Sequence, residues 1–198
     1  MADRPVSSKV RRLLKEAREA YDGDDTRLRV IHPRLRNDER ISRWNDFTAI
    51  LKWKADRKKF KDKRSERRYL HYDERQRSLV PRVTKEAFEL ANEFLRDGKS
   101  AKDSLIKSIA LLDDLKGVDV RMATAILTFY DPQEFTVMDY RAWKALVYIR
   151  RASPFDFWFE ESTDYPPYLE RCKELNQVLG WKLRQTDHAL WKLEDIVS

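Results

Sequence analysis

Asp139 stands in "EFTVMDYRAWKAL", where a stretch that reads as extended gives way to a helix. A carboxylate at a helix N-terminus stays ionised, which suits it to stabilising developing positive charge or orienting a water molecule. The same residue can act as a simple N-cap, and the two roles are compatible. Eighteen residues earlier, Arg121 follows "LKGVDV". Gly117 lets the backbone turn tightly there, and the helix that follows presents unpaired N–H groups able to hold a phosphate oxygen. Lys116 and Arg121 flank that point with positive charge. The alternative is an αα-corner used only for packing.

A second chemical signal is the segment 52–77, "KWKADRKKFKDKRSERRYLHYDERQR". It carries twelve Lys and Arg against five Asp and Glu, and this excess equals the +7 net charge of the whole chain. Basic side chains interleaved with Trp53, Phe60, Tyr69 and Tyr72 suit a phosphate backbone and stacked bases. Lys58, Lys59, Lys61 and Lys63 are the expected phosphate contacts. A solvated face laced with local ion pairs is the competing reading.

The elements that must position these groups follow from composition and pattern. A chain of 198 residues, 41% hydrophobic with six Trp, eight Tyr and nine Phe, can bury a core as one domain or two small lobes. Only four Gly and seven Pro favour helices over a turn-rich sheet protein. The single cysteine, Cys172, excludes an internal disulfide, a multi-cysteine zinc site and a four-cysteine iron–sulfur cluster. His32, His71 and His188 lack metal-ligand spacing, and neither a Gly-rich nucleotide loop nor a serine nucleophile elbow is present. With no signal-like or membrane-length apolar run, a soluble, cytoplasmic protein is expected.

Apolar periodicity predicts helices over 6–21, 41–53, 101–113, 120–130, 138–150 and 183–195. Pro33 argues against helix just before it, leaving "RLRVIHPRL" short or extended. Thr84 is the expected N-cap of a helix running to about Arg96 and ended by Gly98. Pro166 and Pro167 fit the first turn of a helix that stops near Gly180. The basic segment reads as part loop, and 131–137 as extended. Asp187 and Trp191, four residues apart in "RQTDHALW", share a helical face that could brace a pocket or merely pack.

Helix, L-x-G-V, helix, extended approach and then an aspartate resembles the helix–hairpin–helix (HhH-GPD) DNA glycosylase superfamily. In its endonuclease III-like branch the hairpin reads much like L-P-G-V-G-x-K-T-A and the loop ends in V-D-T-H. Here the corresponding stretches are "LKGVDVRMATA" and "VMDYRA". The likeness covers residues 104–146, with the hairpin motif over 104–130, and is thinner outside. The tail also looks like a small archaeal and bacterial subgroup of this fold. Lys116 replaces the usual proline, Asp119 the second glycine and Arg121 the lysine. Asp119 tolerates unusual backbone angles, yet its carboxylate can cap the N–H of Arg121 or Met122 in competition with a DNA phosphate.

The resemblance implies an all-α, two-lobed fold and a monomer acting on double-stranded DNA with a base flipped out of the stack. Asp139 would stabilise an oxocarbenium-like sugar as the base departs, and Arg121 would grip a phosphate beside the extruded nucleotide. Lys116, Gly117, Val118 and Asp119 would meet the backbone. Trp53, Lys54, Trp143, Asp187 and Trp191 are the expected base pocket. No metal and no iron–sulfur cluster is expected, and no cofactor is required, although a monovalent cation at the hairpin is compatible with the resemblance. The implied reaction is monofunctional base removal, serving base-excision repair or defence against phage DNA with modified bases. A glycosylase with lyase activity, and a non-catalytic DNA- or RNA-binding protein, remain open alternatives.

Overall fold

A computed structural model describes residues 6–56, 74–153 and 161–197. Among these the chain is all-helical, with nine α-helices and no strand. In chain order they are α1 (Ser8–Glu19), α2 (Thr26–Asp38), α3 (Trp44–Asp56), α4 (Val80–Asp97), α5 (Lys102–Asp113), α6 (Val120–Tyr130), α7 (Tyr140–Tyr148), α8 (Tyr165–Leu179) and α9 (Leu183–Val197).

The helices fall into two packed sets. In the first, α2, α3, α4 and α5 surround α6, whose residues from Met122 to Tyr130 are all buried. A helix apolar on every side belongs at the centre of a core. In the second set α9 packs against α1, α7 and α8, so the first and last of these helices belong to one set. The extended stretch after α6 crosses from the first set to the second and delivers Asp139 between them.

Two expectations are corrected. Pro33 lies inside α2, because Leu28, Ile31 and Leu35 form a buried stripe on α6. Next to it His32 Nδ1 lies 3.2 and 3.0 Å from the carbonyl oxygens of Phe129 and Tyr130, donating to the end of α6. Tertiary burial and this bond outweigh the ladder bond that proline removes. Thr84 is not a cap. The helix begins a turn earlier, at Val80 with Pro81 in its first turn, and Thr84 is fully buried. Its hydroxyl donates to the Val80 carbonyl at 2.7 Å and accepts the Ile41 N–H at 2.9 Å, tying the approach to α3 onto α4.

Candidate active site

The hairpin begins where α5 stops. Val118 N–H donates to the Leu115 carbonyl at 2.9 Å, closing a four-residue turn. Gly117, the third residue of that turn, has φ of 86°, the position at which a type II turn requires a glycine-like conformation. Lys116, the residue before it, is fixed by another route. The Gln76 side-chain amide donates to the Lys116 carbonyl at 2.7 Å and accepts the Lys116 N–H at 2.8 Å. Proline could not make the second bond, so the turn is braced from outside rather than by its own ring.

Asp119 caps α6. Its Oδ1 accepts the Met122 N–H at 2.8 Å, while Oδ2 takes Arg121 Nη2 at 2.9 Å and Nε at 3.2 Å. The Asp119 cap expected on this helix N-terminus is present at Met122, and Arg121 turns back onto its own hairpin.

From α6 the chain reaches Asp139 through a segment pinned by buried hydroxyls. Tyr165 accepts the Thr136 N–H at 3.2 Å and donates to the Thr136 carbonyl at 2.9 Å. Tyr168 donates to the Val137 carbonyl at 3.0 Å, and Thr124 Oγ1 accepts the Met138 N–H at 3.0 Å. Burial pushes both phenols well above their ordinary range, so they stay protonated and able to donate. Three consecutive residues before Asp139 are thus held by side chains from α6 and α8.

Asp139 is the N-cap of α7, with Oδ1 accepting the Arg141 N–H at 3.0 Å. Its Oδ2 meets Lys54 Nζ at 2.5 Å. The Lys54 side chain is 2% exposed and that of Asp139 is 17% exposed. A lysine this buried needs a counter-charge, and the partner comes from the opposite helix set. Lys54, expected to read a base, is the cation at the aspartate.

Beyond Lys54 the remaining pocket candidates divide. Trp53 is buried with its indole N–H donating to the Asp24 carbonyl at 3.0 Å, and the Arg184 guanidinium lies 5.1 Å from its ring. Arg184 also pairs with Asp187 and grips Asp25 through contacts of 2.6 and 3.1 Å. Asp187 is buried, and its Oδ1 has no hydrogen-bond partner among the described residues. His188 stacks on Tyr21 at 3.8 Å and places Nε2 3.0 Å from Asp25. Burial raises the Asp25 pKa, but hydrogen bonds from His188 and Arg184 outweigh it and hold the carboxyl below the usual range. Trp191 lies under the Arg141 guanidinium at 4.1 Å, which also pairs with Glu194 and Asp195. Trp143 is buried along α7, its ring near that of Tyr140.

Sequence reading missed Gln76, Tyr165, Tyr168, Asp25 and Arg184. Arg184 and His188 flank Asp187 in "RQTDHALW" and were the nearest available signal. Lys58, Lys59, Lys61, Lys63 and His71 lie outside the described residues. Among the described residues no group of three or more His, Cys, Asp or Glu could hold a metal ion, and no helix is long and apolar enough to cross a membrane. No family model matches the chain, and neither a curated protein nor a solved structure matches it.

Proposed function

We propose that the chain is a monofunctional DNA glycosylase of the helix–hairpin–helix type, hydrolysing the N-glycosidic bond of a damaged or modified base flipped out of duplex DNA. The observation that carries this reading is the delivery of Asp139. A glycine-turn hairpin, a hydroxyl-pinned approach and a helix N-terminus lead to one carboxylate between two helix sets, a common place for a ligand cleft.

Cleavage sends the glycosidic electron pair to the departing base and leaves the sugar with oxocarbenium character. Asp139 would stabilise that charge and orient the water that adds to C1′, accepting its proton. Arg141 N–H and Lys54 Nζ hold the carboxylate in one rotamer. Asp187, whose buried Oδ1 has no hydrogen-bond partner among the described residues, suits a base that offers an N–H donor. The excised base can be oxidised, deaminated, alkylated or a bulky modified pyrimidine. Repair and defence against phage DNA are both served by this chemistry. A panel of duplexes carrying such bases tests the reading. Alkali-labile abasic sites should form on at least one of them, and binding without base release on every duplex would leave the non-catalytic alternative.

A second reading is favoured by the Lys54–Asp139 contact itself. If Asp139 took the Lys54 proton, the free amine could attack C1′ and form a C–N bond as the base leaves with its electron pair. The hydrolytic reading is preferred because a lysine held in an ion pair has no lone pair to attack with.

A further inference from the structure

The hairpin spends the charge of Arg121 on its own Asp119. Asp119 occupies the Met122 N–H at the start of α6 and takes Arg121 in a two-contact pair. Cations from elsewhere would add to Lys116 in holding a phosphate near this hairpin, and the fold places one of them, Arg77, next to the hairpin's brace. Gln76 grips Lys116, and the next residue, Arg77, lines a 440 Å³ cavity together with Arg34, Arg43, Trp44 and Asn45.

Asp46 also lines this cavity, but both its oxygens are taken by Arg34 Nη1 at 3.0 and 3.2 Å. Arg43 and Arg77 are exposed and make no ion pair among the described residues. Among the described residues, three guanidiniums against one satisfied carboxylate leave the cavity lining with two cations of excess, beside Trp44. Arginine forks suit phosphate oxygens through paired hydrogen bonds.

The geometry points to this cavity as a phosphodiester clamp, in which Arg43 and Arg77 hold the DNA backbone to one side of the Asp139 site. The inference rests on the glycosylase reading only for the identity of the strand. The cavity lies at the N-terminal end of α3 and Lys54 near its other end, ten residues or ~15 Å along the helix.

The test is binding of a plain duplex as a function of salt, which needs no catalysis. Arg43→Ala/Arg77→Ala should reduce the log–log salt slope by about 1.8, at ~0.9 per neutralised phosphate, and weaken binding alike for all sequences. Arg12→Ala/Lys15→Ala, an equal loss of exposed charge on α1, should leave the slope unchanged. Arg43→Lys/Arg77→Lys should recover most of the slope while losing some affinity. An unchanged slope in the alanine pair, or an equal drop in the α1 control, overturns the clamp. If the slope drops as expected but no base is released from any duplex, the clamp stands and the glycosylase reading falls. If Asp139-dependent base release is seen with an unchanged slope, the reverse holds. Failure of the wild-type chain to bind duplex at all overturns both.

Discussion

Lys54 Nζ and Asp139 Oδ2 stand 2.5 Å apart, joining α3 of one helix set to the N-cap of α7 in the other. The pair sits where the two sets meet and places a buried cation on the candidate catalytic carboxylate. The two residues are 85 apart in the chain, so neither one's local sequence hints at the other.

This pair should be energetically coupled. Asp139→Asn keeps a cap acceptor for Arg141 N–H but leaves a buried ammonium facing a neutral amide. The expected loss is up to about 3 kcal/mol, the low end for breaking a buried pair, because Asp139 keeps some exposure. Lys54→Met should cost less, since the remaining carboxylate is still capped and partly hydrated. Adding Lys54→Met to Asp139→Asn should recover at least about 1 kcal/mol in urea unfolding. Strictly additive losses would show that the two side chains do not interact in solution.

Gln76 should matter to the hairpin as much as any hairpin residue. Gln76→Ala strands the N–H and carbonyl of Lys116 that it now satisfies, at a cost of about 1–3 kcal/mol. Amide hydrogen exchange at Lys116 and Val118 should accelerate more than exchange in α4. Uniform acceleration across the chain would mean that Gln76 supports global stability without bracing the turn.

Much of the fold was legible because it is written in local pattern. The helix over 120–130 matches α6, and Pro166, Pro167 and Gly180 bound α8 as turn chemistry dictates. Asp119 as a competing cap was also legible, since cap and capped N–H are three residues apart. What stayed hidden depends on distant partners. Pro33 and Thr84 were misread because their neighbours, Phe129 and Ile41, lie far along the chain. Arg184 meets Asp25 across 159 residues, and no periodicity reports such a pair. Lys54 reads from the sequence as a base contact, whereas α3 sets it on Asp139, 85 residues away.

The strand should remain intact after base removal. Arg121 cannot form an imine, because guanidinium stays protonated at physiological pH, and it is paired with Asp119. Borohydride added during turnover should therefore trap no covalent protein–DNA adduct. Lys144 is engaged by Glu194 at 3.3 Å, and Lys54 by Asp139. An adduct that survives denaturation and vanishes in Lys54→Met would establish the lyase route. Disappearance on changing Lys116 or Lys144 would move the amine to that residue.

The basic segment should make a separate contribution to binding. Replacing Lys58, Lys59, Lys61 and Lys63 with neutral residues should weaken all duplexes alike. The salt slope should fall by roughly 0.9 for each phosphate those lysines neutralise. If the slope is unchanged, they form a solvated face and the DNA affinity arises elsewhere.

Base release by Asp139→Asn tests the central claim most directly. The substrate is the modified duplex that the wild-type chain converts to abasic sites, and the assay runs below the variant's unfolding transition, with its fold checked by circular dichroism. Loss of base release with duplex affinity kept within a few-fold is the predicted result. Base release by the variant at near the wild-type rate would contradict it, and would remove Asp139 from the chemistry.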